Sequence, residues 1–309
     1  MSKPQVGECR EVRAWRPSAI WGRIAGAVSS GSSSAHAGNG FAEAETAEVR
    51  GRKPVGLHVA GGVAVISLRR PDKMNAINSE MWETVSEIVH RVSKDESVRV
   101  LVLRGEGENF SVGSDLKELG ESDLARVEDI FHRAEECAAA LEESPLPTIA
   151  CIRGYTLGTG LLIALACDMR VAEQNATVGI PIARLGITLS ETFVRRVAVL
   201  TGPAKMKELV YTGRLLDGEE AMCLGLVNRV VPQNESVLRE TLQISRVIRQ
   251  QSSASLLAAK RWGGSASGRV PTAYDHVDPD DFSEGVRAFL EQRSPRFYGA
   301  EDQRNVQKT

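Results

Sequence analysis

The chain has 309 residues, 42% of them hydrophobic and 25% charged, with a formal net charge of −2. Such a length and composition suit one large globular domain with additions, or two domains. The near-neutral charge gives no electrostatic basis for binding nucleic acid or a membrane surface, and no apolar run reaches the roughly 18 residues that a membrane span needs.

Residues 1–52 stand apart as an extension. Ser29 to Gly40 contains only Ser, Gly, Ala and Asn apart from His36, a composition that cannot bury a core and predicts disorder. Before it, Arg10, Arg13, Arg16 and Arg23 are interleaved with Trp15, Ile20 and Trp21. A disordered tail on a cytoplasmic protein and a presequence for the mitochondrial matrix both remain open, with Glu8 and Glu11 counting against the second.

The folded part begins near Val55. Leu57–Ala60 and Val63–Leu68 flank Gly61-Gly62, which predicts a tight hairpin. Arg70-Pro71-Asp72 ends it, and Ser79 is expected to cap an amphipathic helix to about Val92. Val98–Leu103 and Thr148–Ile152 read as strands covered on both faces, with a long helix around Leu124–Leu141 between them. Further short strands are expected at Asp168–Ala172, Thr177-Val178 and Asn228–Val231. Helices follow near Pro203–Tyr211, Asp217–Cys223, Ser236–Gln250, Ala254–Trp262 and Pro279–Gln292, with Gly263–Pro279 as a loop. Strands alternating with helices predict an α/β fold. The expected division is residues 1–52, a core with its first C-terminal helices at 53–262, and a C-terminal helical segment at 263–309.

Five cysteines without a C-x-x-C pair read as small buried hydrophobes, and scattered histidines without metal-ligand spacing give no metal site. The chemistry lies instead in two glycine-bearing loops, Phe110–Lys117 and Gly154–Gly160. Each follows a β-type run and opens a helical pattern, so each exposes backbone N–H groups where negative charge can be held. Two such donors would form an oxyanion hole. Asp115 reads as the cap of the helix that starts at Leu116.

Together these segments resemble the crotonase superfamily of enoyl-CoA hydratases and isomerases. The matching stretches are Arg70–Asn78, Phe110–Leu119, Pro147–Asp168, Ala221–Val227 and Phe282–Phe297, in order over about residues 55–300. The resemblance implies an α/β spiral of β-β-α turns with a C-terminal helical region, assembled as homotrimers or homohexamers. It implies a lyase or isomerase of fatty acyl metabolism acting on an acyl-CoA thioester, CoA being part of the substrate and not a separate cofactor. The oxyanion amides would be those of Ser114 and Thr159. Lys73, Met74, Ala76, Val112, Lys117 and Phe297, with Arg296, would lie along the CoA path.

The two glutamates of family hydratases correspond to Leu162 and Ile182, and neither can move a proton. Losing one general acid–base group costs about 10²–10⁴-fold in rate, so ordinary hydration is expected to be weak or absent. Ser190 and Glu191 are the remaining candidates near the acyl group, unless they are only the cap and first turn of a helix; Arg184 is another. Three readings follow: an enolate-forming enzyme such as a decarboxylase or C–C lyase, a non-catalytic acyl-CoA binder, and an assembly subunit or a protein acting on a non-CoA β-diketone.

Overall fold

The computed structural model describes residues 53–264 and 278–297. The readings of residues 1–52, of most of the 263–279 loop and of the C-terminal tail lie outside the described residues. In chain order the strands are β1 (Val55–Ala60), β2 (Val63–Leu68), β3 (Val100–Gly105), β4 (Thr148–Ile152), β5 (Tyr155–Leu157), β6 (Met169–Glu173), β7 (Thr177–Gly179), β8 (Leu215–Leu216) and β9 (Arg229–Val231). The helices are α1 (Ser79–Val92), α2 (Leu116–Glu121), α3 (Leu124–Glu143), α4 (Thr159–Ala166), α5 (Glu191–Thr201), α6 (Pro203–Thr212), α7 (Gly218–Cys223), α8 (Val237–Arg249), α9 (Ser253–Gly264) and α10 (Pro279–Leu290).

A six-stranded sheet runs β1-β2-β3-β4-β6-β9, antiparallel only between β1 and β2. Gly61 and Gly62 both take positive φ, 54° and 74°, which the tight turn of the β1–β2 hairpin requires. Parallel neighbours are buried on both faces, and the continuous apolar runs of β3 and β4 reflect this. A smaller sheet, β5-β7-β8, stacks beside the first and brings the second glycine loop against the segment after β3. The successive strand, strand and helix turns are those of the expected α/β spiral.

The core packs α1, α3 and α4 onto the large sheet. Met81, Trp82, Val85, Ile88, Val89 and Val92 fall on one face of α1 and are buried, with Trp82 fully so. Truncating a side chain of that size typically costs about 3–5 kcal/mol.

Local chemistry departs from expectation at three places. Asn78, not Ser79, caps α1: its Oδ1 accepts from Met81 N at 3.1 Å, while the Ser79 hydroxyl and backbone N–H both donate to Glu118 on α2. Helix α9 extends through Gly264, past the expected end at Trp262, and α10 starts at Pro279 as expected but ends at Leu290 and not at Gln292. Cys137, Cys151 and Cys167 are buried, but Cys223 is exposed. Burial pushes the Cys151 thiol up to about 11 and that of Cys167 to about 12, which keeps both protonated and unreactive at neutral pH.

Candidate functional site

The two glycine loops run side by side. Phe110 N–H donates to Arg153 O at 2.7 Å, Ser111 N–H to Tyr155 O at 3.0 Å, and Leu157 N–H to Ser111 O at 3.0 Å. Glycine is required where they touch. Gly113 has a φ of +97°, and a Cβ there would lie 2.9 Å from Leu157 O and 3.2 Å from Thr159 N. At Gly160 a Cβ would come within 2.6 Å of Ser111 O.

This close approach sets Ser114 beside Thr159, and their hydroxyls hydrogen-bond at 3.0 Å. Ser114 pairs with Ile77 only through its neighbours, since Ile77 N–H donates to Gly113 O and Asp115 N–H to Ile77 O. Its own N–H therefore faces away from that pairing. Thr159 is the first residue of α4, where a helix leaves its N–H without an internal partner. Among the described residues neither N–H donates to another protein group.

Both residues line a cavity of about 510 Å³. Leu157, Leu162, Ile182 and Phe193 give it buried apolar walls. Exposed Leu116, Leu124 and Leu185 continue the apolar surface outward, and Lys73 and Lys117 are the lysines on its lining. Helix α3 contributes a stripe at helical spacing: Leu124, Val127, Glu128, Phe131, His132 and Glu135.

Asp115 also reaches this lining but is held elsewhere. It caps α2 by accepting from Lys117 N at 3.0 Å, and it pairs with Arg70 at 2.7 Å. Burial alone would raise its pKa, yet the hydrogen bond and charge of Arg70, with the Lys117 N–H, outweigh that and hold the carboxyl below its ordinary value. Arg70 also donates to Ala76 O at 2.8 Å, so this ion pair ties the segment after β2 to the first glycine loop.

Sequence comparison matches residues 58–300 to a family described as enoyl-CoA hydratase/isomerase. The chain belongs to the enoyl-CoA hydratase/isomerase family. It is similar to the human mitochondrial enoyl-CoA hydratase domain-containing protein 2, at 34% identity over 77% of this chain and 86% of that one. It is also similar to mouse mitochondrial methylglutaconyl-CoA hydratase, at 30% identity over 77% of this chain and 80% of that one. The crystal structure of an enoyl-CoA hydratase from Bacillus anthracis superposes with a TM-score of 0.72 at 28% identity, over 80% of this chain and 100% of that one. The crotonase fold expected from the ordered motifs is therefore this chain's fold.

Within this family member, Ser114, Thr159, Lys73, Ala76, Val112, Lys117 and Ser190 share the one cavity. Met74 is outside its lining. It takes left-handed backbone, φ 49°, and its carbonyl accepts from Val112 N–H at 3.2 Å, a contact that shapes the loop. Glu191 and Arg184 are also outside the lining, both at exposed positions. Phe297 packs against Gly285 of α10, its carbonyl accepts from Arg99 at 3.2 Å, and Arg296 N–H donates to Glu284. Neither C-terminal residue joins the cavity within the chain.

Ser190 caps α5, accepting from Phe193 N at 3.1 Å, and it also points its hydroxyl proton at Glu135 Oε1. The cap expected of it is therefore present, and the same residue lies on the cavity lining. Sequence reasoning missed Glu128, His132 and Glu135. Only the period of α3 carried a signal for them, and nothing in the sequence said what that face looks onto. Among the described residues no helix is long and apolar enough to cross a membrane.

Proposed function

We propose that this protein binds an acyl-CoA thioester with its carbonyl oxygen between the Ser114 and Thr159 N–H groups, and that ordinary enoyl-CoA hydration is weak or absent. The observation supporting this is a pair of amides, unpartnered among the described residues, on touching loops. They open into a cavity to which α4, the helix that follows the second loop, contributes the apolar Leu162. Two preorganised N–H donors stabilise an enolate or tetrahedral oxyanion where water is excluded. At 3% and 8% exposure, Leu162 and Ile182 form an apolar acyl-site lining without a proton to give.

Lys73 and Lys117 suit the phosphates of CoA, and the exposed leucines at the opening suit the pantetheine arm. Thioester-enolate reactions, decarboxylation or C–C cleavage among them, fit such a site better than addition of water. The non-catalytic alternative has the same binding chemistry and differs only in turnover. Phe282, Val286, Phe289 and Leu290 expose an apolar stripe on α10, which supports assembly into trimers or hexamers.

The test uses purified full-length protein with butyryl-CoA and crotonyl-CoA. Calorimetry is expected to show butyryl-CoA binding. Loss of the crotonyl-CoA enoyl absorbance is expected to stay far below the usual enzymatic range of about 1–10³ s⁻¹. A turnover number inside that range would overturn the hydration claim, and absence of acyl-CoA binding would overturn the whole reading.

A further inference from the structure

We propose that Glu135 on α3 is the proton-transfer group of this cavity, taking and returning the proton on the carbon next to the thioester carbonyl. This deepens the acyl-thioester reading and rests on it.

Elimination among the carboxylates lining the cavity leads to Glu135. Asp115 is committed to Arg70 and to the start of α2. Glu128 is exposed, and among the described residues no protein group fixes it inward. Glu135 is only 27% exposed, and both of its oxygens are held. The Ser190 hydroxyl donates to Oε1, and Arg196 approaches Oε2 at 3.5 Å. Arg196 is itself buried and anchored at 2.7 Å to Glu142 one helical stretch further along α3, so the carboxylate is oriented by a group that cannot swing away. A carboxylate offers about four lone-pair sites, so these two contacts leave room to accept a proton.

Ser190, Phe193, Ile182 and Leu162 line the same cavity, so this carboxylate shares the space that the apolar acyl lining encloses. The step balances without a co-reactant. Glu135 removes the α-proton; the C–H electron pair forms a C=C bond, and the carbonyl π pair moves onto oxygen, held by the Ser114 and Thr159 N–H groups. Return of a proton from the Glu135 carboxyl, after exchange with solvent, rebuilds the C–H bond.

The experiment incubates the protein with butyryl-CoA in D₂O and reads deuterium at the α-carbon by mass spectrometry, with butyryl-CoA binding measured separately. Wild type is expected to incorporate deuterium. Glu135→Gln, nearly isosteric, is expected to bind butyryl-CoA normally and to exchange about 10²–10⁴-fold more slowly. Glu135→Asp, which keeps the charge but withdraws it by one methylene, is expected to fall in between and serves if the Gln variant does not fold. Exchange undiminished in either folded variant overturns the proposal. So does exchange that survives in Glu135→Gln but is lost in His132→Gln, which would move the role to His132. Wild type that binds butyryl-CoA without exchanging overturns this inference and leaves the thioester-binding reading intact; wild type that does not bind overturns both.

Discussion

On the loop side of the cavity, Ser114 and Thr159 present backbone N–H groups, and the side chains around them, Leu162 and Ile182, are apolar. On the α3 side the backbone is closed within a helix, and the polarity comes from the side chains of Glu128, His132 and Glu135. A backbone site of the first kind depends on glycines and on two chain segments touching, so it survives changes of side chain nearby. A side-chain site of the second kind can shift from one element to another as long as it faces the same space. In this chain the proposed oxyanion amides and the proposed proton carrier are therefore separable by substitution.

The largest effect is expected from breaking the loop side. In Gly113→Ala, the new Cβ would meet Leu157 O at 2.9 Å and Thr159 N at 3.2 Å in backbone that already disfavours a side chain. The loops must part, and α-proton exchange on butyryl-CoA should fall by about 10²–10³-fold, the usual cost of one oxyanion donor. Affinity for free CoA, which has no acyl carbonyl, should change much less in the same variant. Equal losses for both ligands would mean that the loops hold the nucleotide and not the thioester.

The opposite substitution puts a side-chain group back on the loop side. Leu162→Glu places a carboxyl at a position only 3% exposed, where burial raises its pKa and favours the proton-donating form. Crotonyl-CoA hydration should rise about 10-fold or more, one of the two groups being restored, while thermal stability drops because a polar group enters an apolar wall. A variant that binds crotonyl-CoA yet gains no hydration would show that Leu162 does not face the acyl carbons.

The uneven legibility of the two sides follows from the same contrast. The loop side is readable in the sequence because its glycines, its β-type runs and the Asp115 cap are local signals with local causes. The strand pattern is legible for the same reason, since buried parallel strands such as Val100–Leu103 are continuous apolar runs. The expected cap of α1 is off by one residue because Asn78 and Ser79 are both good caps, and Glu118, distant in sequence, claims the Ser79 hydroxyl. Glu135 is invisible in the sequence because a glutamate on a long amphipathic helix looks like part of a solvated face. The role proposed for it rests on contacts with Ser190 and Arg196, which are 55 and 61 residues away. The family resemblance puts Phe297 on the CoA path, but within the chain it packs on α10, and no sequence signal specifies which subunit it serves.

A smaller effect is expected where the two sides are tied together. Asp115→Asn keeps a cap oxygen for Lys117 N–H but leaves Arg70 without its charge partner, so stability at pH 7 should fall by about 1–3 kcal/mol in chemical unfolding. The folded pKa of Asp115 lies below its ordinary value, so its contribution is present above about pH 4 and is lost as pH falls through the folded pKa. The gap between wild type and variant should therefore close on acidification. A gap that stays constant below pH 4 would show that the Asn disturbs packing and not the ion pair.

The smallest expected change tests whether the opening of the cavity is electrostatic at all. The Lys117 side chain is 65% exposed and its ion-pair partner, Glu121, is 3.8 Å away on the same helix, so water screens both its present pair and any new phosphate contact. An exposed pair is worth about 0.2–1 kcal/mol, so Lys117→Ala should weaken CoA binding by only about 2–5-fold, and less at high salt. Because the charge lies outside the apolar walls, the loss should be the same for free CoA and butyryl-CoA. That parallel loss distinguishes it from Gly113→Ala, which should act far more on the acyl ligand than on free CoA. If CoA affinity does not change in Lys117→Ala at low salt, the lysine is a solvated helix residue and the phosphates are held elsewhere, with Lys73 the lysine left on the lining to test.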